Sequence, residues 1–366
     1  MKVIFICGSL EPGKDGVGDY TRRLAGELIR KDHSAEIIAL EDLYVREIIK
    51  ENQKDTDTII PTLRLPARTP LVERKNIARQ YIEEFHPEFL SLQYVPYSFN
   101  KKGVPVFLAN KLSSWAFTDI KWHIMFHELW IDTPQNLVQF GISILQRHIV
   151  KKMVSTLSPV SVSVTIPYNQ RRLKKMEIQT EIIELFGNIP NSSKVTMSNN
   201  YLSDRVSILY FGTAPRDKFA DLIINKLEEF CSTTSYKISL VLVSGQSATK
   251  EQFKEKIKNR LSRFDFELDD LGFAESEVIS DLFKRCNVGI ARSEAYLIGK
   301  SGAAIAMLEH GLPIWMPKLD KASDLEIYFR KDLIFSDLKK AVDCSFRPPY
   351  LSRLNEISEK FLSQLK

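Results

Sequence analysis

The stretch CGSLEPGKDGVGDYTRRLAGEL, residues 7–28, is a glycine-rich segment that contains five of the chain's 15 glycines. The continuous apolar run that leads into it predicts a strand over Val3–Cys7. Apolar residues at helical intervals after it predict a helix over Asp19–Arg30. A strand, a loop and a helix in this order begin a βαβ unit, the repeating element of parallel α/β folds.

The spacing of the glycines in this loop excludes two common phosphate-binding loops. The GxGxxG pattern of dinucleotide sites fails at its first interval, and the Walker pattern fails because Gly13-Lys14 is followed by Asp15. Asp19 is the expected N-cap of the helix. Two interpretations stay open: a loop that lets a ligand approach the N–H groups of the helix, which favour anions, or a flexible, well-capped turn. The residues of this candidate cleft loop are Gly16, Val17 and Gly18.

Apolar runs rich in valine and isoleucine alternate with helical patterns along the chain, which predicts parallel sheets covered by helices on both faces. The predicted strands are Val3–Cys7, Glu36–Leu40, Phe89–Tyr94, Ile120–Phe126, Val160–Thr165, Ser207–Phe211, Ile238–Val243, Glu267–Leu271, Val288–Ala291 and Pro313–Met316. The predicted helices are Asp19–Arg30, Glu73–Phe85, Val104–Leu112, Gln135–Met153, Phe219–Cys231, Lys250–Phe264, Glu275–Cys286, Ser301–His310 and Tyr350–Leu365.

A polar, turn-rich segment separates the two sets of elements. We therefore expect an α/β fold of two Rossmann-like, doubly wound domains that face a central cleft, with ligand sites at the carboxyl ends of the strands. The expected divisions are an N-terminal domain over 1–190, a linker over 191–205, a C-terminal domain over 206–345 and a helix over 346–366 that packs back toward the N-terminal domain.

Composition limits the function. The 366 residues carry a net charge of +5, which is too small to indicate a nucleic-acid partner. The four cysteines are far apart and the six histidines lack metal-site spacing, so we expect neither a disulfide framework nor a metal. No apolar run reaches the ~18 residues of a membrane span. We expect a cytoplasmic protein without a cofactor.

The second half contains a candidate phosphate seat in NVGIARSEAYLIGKSGAAIAMLEHGLPIWMP, residues 287–317. A buried strand there is followed by a loop and a helix of small residues, so helix N–H groups lie beside a lysine at a strand's carboxyl end. The alternative is an ordinary capped helix that packs on its sheet. The candidate residues are Lys300, Ser301 and Gly302.

A second basic element follows the strand predicted over Ser207–Phe211. Arg216 offers a planar guanidinium for phosphate oxygens and Lys218 a point charge. Cations near a helix start are unfavourable for the helix dipole unless an anion balances them. The alternative is a solvated surface.

The order of these motifs resembles the GT-B glycosyltransferases, in particular those of family 4. GKDGVGDYTRRLA matches the first loop and helix of that family, and IMFHELW (124–130) matches the strand that ends in a histidine beside the donor sugar. FGTAPRDKFADLI (211–223) stands where the family has a Gly-Arg…Lys element on the donor diphosphate. LGFAESEVISDLFKRCNVGIARSE (271–294) follows the pattern of a Gly-Phe turn near the nucleobase. The motifs are short, but their order spans most of the chain.

The resemblance implies transfer of a sugar from a nucleotide-diphosphate sugar, bound by the C-terminal domain, to an acceptor held by the N-terminal domain. It implies that His127 stands near the transferred sugar, with Glu128 or Asp19 as a base if the reaction inverts; family 4 enzymes are typically retaining. Without the resemblance, His127 is a packed core histidine. Arginine, lysine and helix N–H groups, rather than a metal, take up the leaving-group charge in such enzymes. The residues implied at the nucleoside are Gly212, Gly272, Phe273 and Glu294.

One departure from the family concerns a pair of glutamates that precedes the Gly-Leu-Pro stretch. Alignment on Gly311 puts Ile298 and Ala306 at their positions, and alignment on Glu294 puts Gly302 at the second. The absent pair keeps a second hypothesis open, a degenerate GT-B protein that binds a nucleotide or a partner without catalysis. A sugar-nucleotide epimerase is a lesser alternative.

The acceptor is expected to be a glycan or a lipid-linked intermediate of polysaccharide biosynthesis. The helix predicted over Gln135–Met153 mixes apolar residues with Arg147, Lys151 and Lys152, and NQRRLKKM (169–176) adds positive charge. One hypothesis is peripheral contact with anionic lipid at the inner membrane face. The alternative is a core helix with a solvated basic end.

Overall fold

The chain divides into two compact units, here called the first and the second unit. The computed structural model describes residues 1–115, 119–192, 204–320, 325–327 and 329–366. The first unit comprises Met1–Glu184 and Leu354–Lys366, and the second comprises Leu185–Arg353. Residues 185–190, which are predicted to belong to the N-terminal domain, fall within the second unit. Of the expected linker over 191–205, residues 193–203 lie outside the described residues.

The first unit is built on an eight-stranded sheet of order β3-β4-β2-β1-β5-β6-β7-β8, in which only β3 and β4 pair antiparallel. Its strands are β1 Lys2–Cys7, β2 Ser34–Asp42, β3 Ile49–Asp55, β4 Thr58–Pro66, β5 Phe89–Tyr94, β6 Lys121–Phe126, β7 Ser161–Val164 and β8 Glu181–Ile182. Its helices, apart from the C-terminal one, are α1 Gly16–Arg30, α2 Leu71–Phe85, α3 Pro96–Phe99, α4 Leu108–Ser113, α5 Leu137–Leu157 and α6 Pro167–Lys174.

The second unit is built on a six-stranded parallel sheet of order β11-β10-β9-β12-β13-β14. Its strands are β9 Arg205–Phe211, β10 Lys237–Val243, β11 Phe266–Gly272, β12 Val288–Ile290, β13 Ile314–Trp315 and β14 Ile334–Phe335. Its helices are α7 Asp217–Thr233, α8 Ala248–Leu261, α9 Ser276–Arg285, α10 Gly302–Glu309 and α11 Leu338–Val342. A 3₁₀ helix over Ala295–Lys300 precedes α10.

The C-terminal helix α12, Leu354–Gln364, lies on the sheet of the first unit. The ring of Phe361 packs against Phe5 of β1 at 5.3 Å and against His123 of β6 at 5.2 Å. Lys360 forms an ion pair with Glu184 at 2.9 Å. The helix therefore covers the part of the sheet around β1 and β6.

The doubly wound α/β prediction is confirmed, because each sheet extends in both directions from its first strand. The structure differs from the predicted elements at two points. The hairpin of β3 and β4 was not predicted, and α1 begins at Gly16 rather than Asp19. The N-cap of α1 is Asp15, whose Oδ1 accepts from the N–H groups of Val17 and Gly18 at 2.9 and 2.8 Å. Among the described residues, none of the helices combines the length and the apolar character that a bilayer crossing requires.

Candidate active site

The strand order of the second unit places its candidate site next to β9. This strand has β10 on one side and β12 on the other, so the chain reverses its direction of winding there. The loops after β9 and β12 diverge at such a point and leave a crevice at the carboxyl edge of the sheet. Both sets of candidate phosphate-binding residues lie after these two neighbouring strands: Arg216 and Lys218 after β9, and Lys300, Ser301 and Gly302 after β12.

The turn after β9 is open to an approaching ligand. Gly212 has φ 119°, which favours glycine, and a Cβ on it would meet no atom within 4 Å. Arg216 is the N-cap residue of α7 and offers no side-chain cap bond, and both Arg216 and Lys218 are exposed. Two cations thus stand at a helix start, with the exposed Asp217 between them in the sequence, and the helix dipole favours an anion there.

Arg292 joins the loop after β12 to the turn after β9. Its Nη1 donates to the carbonyl of Thr213 at 3.3 Å, and the hydroxyl of Tyr210 donates to the same oxygen at 2.8 Å. Arg292 itself is exposed. Arg292 directly follows the predicted strand Val288–Ala291, and no role was predicted for it, since the bond depends on β9 and β12 being neighbours.

Lys318, two residues beyond the predicted strand Pro313–Met316, is a fourth cation at this edge. Its Nζ pairs with the carboxylate of Glu294 and lies 5.1 Å from the ring centroid of Phe219 in the first turn of α7. The backbone N–H of Phe219 bonds to the carbonyl of Arg216 at 3.1 Å, so Lys318 lies beside the basic turn. Glu294, expected at the nucleoside, is therefore held in an ion pair with a lysine that the sequence analysis missed.

The predicted phosphate seat lies at the start of α10. Ser301 is the N-cap, and its Oγ accepts from the N–H of Ala304 at 3.3 Å. Gly302 is the first helical residue, and a Cβ there would make only an ordinary contact, 3.7 Å from Nδ2 of Asn188. Lys300 ends the preceding 3₁₀ helix and is half-buried. The N-cap position of Ser301 fits the alternative interpretation, a capped helix that packs on its sheet. Lys300 adds positive charge at the start of this helix.

The strand β11 ends in the predicted Gly-Phe turn. Gly272 has φ 67° and open space at its Cβ, and the next residue, Phe273, is 55% exposed. Below this turn Nζ of the fully buried Lys250 lies 2.6 Å from Asp270 and donates to the carbonyl of Ser244 at 3.1 Å. Burial alone would raise the pKa of Asp270, but hydrogen bonds from Lys250 and Lys254 outweigh it and lower the pKa to about 2. The ion pair of Lys250 and Asp270 therefore fixes the structure that supports the turn at Gly272 and Phe273.

The glycine loop of the first unit is closed by its own polar groups. The N–H groups of Val17 and Gly18 are both taken by Asp15, so the first turn of α1 already has an anionic cap. A Cβ on Gly18 would lie 2.6 Å from the carbonyl oxygen of Ser9, whereas one on Gly16 would meet nothing within 4 Å. Gly18 therefore accommodates the loop itself, and only Gly16 leaves space open.

Asp19, considered as a base, is held inside the same loop. Its Oδ1 accepts from the N–H of Gly13 at 3.1 Å and from the guanidinium of Arg22. Burial raises its pKa, while Arg22 opposes that rise. Asp19 consequently acts as a tie between the loop and α1.

A buried network that the sequence analysis missed fixes the other side of the loop. Arg64 of β4 donates to Asp42 at 2.8 Å and to Glu11 at 2.7 Å. Asp42 in turn accepts from the hydroxyl of Ser9 and from the N–H of Leu10, each at 3.2 Å. The loop backbone is thus held to the ends of β2 and β4.

His127 lies directly after β6 and is 6% exposed. Its Nε2 is 2.9 Å from Oε1 of Gln93, and the ring of Tyr20 packs edge-on at 4.9 Å. Burial lowers the pKa of His127 to about 3. The ring is therefore neutral, and because an amide oxygen only accepts, Nε2 carries its proton and Nδ1 has the lone pair. The neighbouring Glu128 is exposed.

The Gln93 bond begins a chain of hydrogen bonds across the buried face of the sheet. The Nε2 of Gln93 donates to Oγ of Ser91 at 2.8 Å, and the Ser91 hydroxyl is hydrogen-bonded to Nδ1 of His123, also at 2.8 Å. The other ring nitrogen of His123, Nε2, is hydrogen-bonded to Oγ of Ser163 at 3.0 Å. Burial, aided by His127, lowers the pKa of His123 to about 3 as well. These five residues, His127, Gln93, Ser91, His123 and Ser163, are here called the polar ladder.

The positions aligned with the absent glutamates are core positions. Ile298 and Ala306 are both fully buried, and a Cβ on Gly187 would lie 2.8 Å from Cα of Ala306. A glutamate at either position would need a buried partner for its charge. The chain therefore fills this part of the second unit with apolar packing.

No protein-family model matches the chain, and no curated protein matches it either. Solved structures do match. Anabaena Alr3699/HepE, in complex with UDP and glucose, has a TM-score of 0.66 at 12% identity and covers 100% of this chain and 99% of its own. Sucrose-phosphate synthase from Thermosynechococcus elongatus has a TM-score of 0.62 at 15% identity and covers 86% and 81%. A proposed UDP-N-acetylglucosamine 2-epimerase from Listeria monocytogenes has a TM-score of 0.59 at 12% identity and covers 100% and 95%.

These likenesses give the architecture. At identities between 12% and 15% they concern the fold alone. Together with the two doubly wound sheets, they confirm the expectation that the chain has the GT-B fold. The function has to be argued from the site.

Proposed function

We propose that this protein is a glycosyltransferase that moves a sugar from a nucleotide-diphosphate sugar to a carbohydrate or lipid-linked acceptor. The observation that carries the proposal is the group of four cations, Arg216, Lys218, Arg292 and Lys318, around an open glycine turn at the point where the second sheet reverses. Arg292 is held there by its bond to Thr213. A nucleoside diphosphate supplies the anion that such a group requires.

The chemistry follows from where charge develops. Departure of the nucleoside diphosphate from the sugar builds negative charge on its phosphate oxygens. Arginines bind these oxygens bidentately, and fixed cations stabilise the departing group without reorganising at that moment. Lys300 and the start of α10 add a second source of positive potential on the neighbouring loop. We propose that these groups do the work of a metal, and that the exposed ring of Phe273 contacts the nucleobase.

The compared structures support a nucleotide ligand without choosing the reaction. HepE was solved with UDP and glucose. The same fold also occurs in the Listeria protein, which is a proposed epimerase. Both kinds of enzyme bind a diphosphate; transfer is preferred here because two carboxylates on this edge are engaged, Glu294 with Lys318 and Asp270 with Lys250.

In the first unit, His127 is proposed to bind the transferred sugar. A neutral ring with a pKa of about 3 is a weak base, but its fixed lone pair accepts a hydrogen bond from a sugar hydroxyl. Asp19 is paired with Arg22, which leaves Glu128 as the exposed carboxylate next to His127. A retaining reaction needs no base for the acceptor, and we propose it over inversion.

The alternative is a protein that binds a nucleotide without catalysis. The apolar, fully buried Ile298 and Ala306 at the positions of the paired glutamates favour it. Both hypotheses predict nucleotide binding, so only turnover separates them.

Thermal shift with UDP-, GDP-, ADP- and dTDP-sugars tests binding first. Stabilisation by at least one of them is expected, since a ligand that binds only the folded state raises the melting temperature. Assays of nucleoside diphosphate release, with sugar acceptors and with lipid extracts, then test transfer. Stabilisation without release from any donor would favour the binding protein, and no stabilisation by any donor would contradict both hypotheses.

A further inference from the structure

The outward side of α5 exposes large apolar side chains in its first two turns. Leu137 is 88% exposed and Phe140 is 54% exposed. A Cβ added to Gly141, the residue after Phe140, would meet no atom within 4 Å. The members of this surface, here called the α5 face, are Leu137, Val138, Phe140, Ile144 and Leu145. Single exposed apolar residues are ordinary, but a contiguous set on one helix marks an interaction surface.

The orientation of α5 is fixed by its opposite side. Ser143 donates from Oγ to the carbonyl of Ile131 at 2.7 Å, and the N–H of Ile131 donates to Oε1 of Gln146 at 2.8 Å. Ile149, Val150 and Met153 continue this buried side into the core. The α5 face therefore points outward because the rest of the helix is packed.

The second half of α5 carries positive charge on the outward side. At 100° per residue, His148 and Lys151 continue the row of Leu137 and Ile144. Arg147 and Lys152 flank that row. The helix contains no aspartate or glutamate in any of its 21 residues. An apolar face followed by uncompensated cations is the pattern of helices that lie on anionic bilayers.

A second basic element adjoins this helix through Trp130. The guanidinium of Arg147 lies 5.4 Å from the Trp130 ring centroid, and that of Arg172 of α6 lies 4.3 Å from it. Asp132, the acid beside this cluster, pairs with Arg172 at 3.4 Å. The following residues Lys174 and Lys175 are exposed. The basic end of α5 and the basic helix α6 thus form one positively charged border.

We propose that the α5 face docks on an anionic lipid surface, with its apolar side chains in the acyl boundary and the basic border on the headgroups. A lipid surface is preferred over a protein partner because charge complementarity selects it. An anionic bilayer offers negative headgroups beside an apolar phase, and the border supplies cations from two helices beside an apolar face whose helix carries no acid. Aromatic and basic residues around an apolar wedge are the arrangement that the bilayer interface favours. The inference does not depend on the proposed glycosyl transfer.

Vesicle co-sedimentation with the full chain tests this docking. The probes are vesicles of phosphatidylcholine with and without phosphatidylglycerol, each at low and at high salt. The apolar variant is Phe140→Ser, and its matched control is Phe346→Ser in the second unit, whose side chain is equally exposed at 56%. The charge variant is Lys151→Glu, with Lys258→Glu on the exposed side of α8 as its control.

The wild type is expected to bind phosphatidylglycerol vesicles at low salt and to dissociate as salt rises. Phe140→Ser should weaken binding about tenfold through lost apolar burial, and Lys151→Glu about fivefold or more through lost attraction. Both controls should bind as the wild type does. No binding to anionic vesicles at low salt would overturn the proposal, as would equal losses in variants and controls. A dimer in sedimentation analysis that Phe140→Ser dissociates would also overturn it, in favour of contact between two copies.

Discussion

His127 donates from Nε2 to Oε1 of Gln93 across 2.9 Å, and the amide nitrogen of Gln93 donates in turn to Oγ of Ser91 at 2.8 Å. The amide oxygen of Gln93 can only accept, so the proton of the first bond lies on Nε2 of His127. That arrangement holds His127 in one tautomer, with Nδ1 as an acceptor. Gln93 is thus a positioning residue for His127 under the proposed function.

Replacement of Gln93 by leucine should remove the hydrogen bond that holds His127 in its Nε2–H tautomer. With no acceptor beside it, Nε2 loses the preference for its proton. We expect ¹⁵N NMR of labelled histidine to show a single Nε2–H tautomer at His127 in the wild type and a mixture in Gln93→Leu. In turnover, kcat should fall by up to about 100-fold, as misplacement of a reacting group does, while donor KM changes little.

His86→Asn, which alters an exposed histidine of the first unit, serves as the control and should leave the His127 signal unchanged. An unaltered tautomer in Gln93→Leu would contradict the positioning role. So would a variant whose kcat equals that of the wild type.

The two buried histidines predict an acid-sensitive first unit. The pKa of His123 is about 3 in the folded protein and ~6.5 unfolded, so the unfolded state binds more protons between these values. Stability is therefore full above pH 7 and declines as pH falls toward 3. His123 alone should cost about 2 kcal/mol of unfolding free energy at pH 5. His123→Gln removes this contribution.

Urea unfolding of the wild type and of His123→Gln at pH 7 and pH 5 measures that difference. Tryptophan fluorescence reports on the first unit, which holds three of the four tryptophans, Trp115, Trp122 and Trp130. The wild type should lose more stability between the two pH values than the variant does. Equal losses would show that His123 is accessible to protons in the folded state.

Two glycines of the first loop should respond differently to alanine. Gly18→Ala places a Cβ 2.6 Å from the Ser9 carbonyl and should cost about 1–3 kcal/mol as the loop shifts. Gly16→Ala meets no atom and gains helix propensity, so stability should stay within about 1 kcal/mol or rise. Thermal unfolding of the two variants measures this difference. Equal destabilisation would mean that the contact with the Ser9 carbonyl is not what requires glycine at position 18.

Gly16 also provides a functional test that is separate from folding. Gly16→Val should fold, since a Cβ at Gly16 meets no atom within 4 Å. On the hypothesis that this open space admits the substrate, the added side chain should lower turnover more than nucleotide affinity. An equal loss of both would assign the nucleotide site to this loop.

Lys250 should matter for stability rather than for ligand binding. Lys250→Met removes the cation from Asp270 and the donor from the Ser244 carbonyl, which we expect to cost about 2–3 kcal/mol. The loss is limited because Lys254 still pairs with Asp270 at 2.8 Å. Lys258→Met on the surface of α8 is the control and should be neutral. A neutral Lys250→Met in urea unfolding would contradict this account.

The sequence was informative where strands are buried on both faces. Phe89–Tyr94 was predicted with its observed bounds, because a short, mostly apolar run is typical of a strand in the middle of a covered parallel sheet. The hairpin was missed because the edge strand β3 is mostly polar and Pro61 interrupts β4. Pro61 is tolerated since β2 pairs with β4 only from Thr62 onward, so the proline ring meets no ladder bond on that side.

The candidate site was harder to predict for a topological reason. Arg292 and Lys318 reach the turn after β9 only because β9, β12 and β13 are neighbours, and periodicity does not reveal strand order. The start of α1 was predicted too late because Gly16 and Gly18 suggested a loop, whereas the helix begins at Gly16. Ser91 and Gln93 did give a signal, two polar residues at alternate positions in an apolar strand, but their role depends on the pairing of β5 with β6, which brings His123 beside them.

Calorimetric titration of nucleoside diphosphates tests the central claim, an anion seat at the switch point of the second sheet, most directly. UDP, GDP, ADP and dTDP are titrated into the wild type, Arg292→Ala and the surface control Lys258→Ala. We predict that at least one binds the wild type and the control equally, and that Arg292→Ala weakens it about tenfold or more through loss of a charged hydrogen-bond donor. Binding of none, or equal binding by all three proteins, would contradict the account.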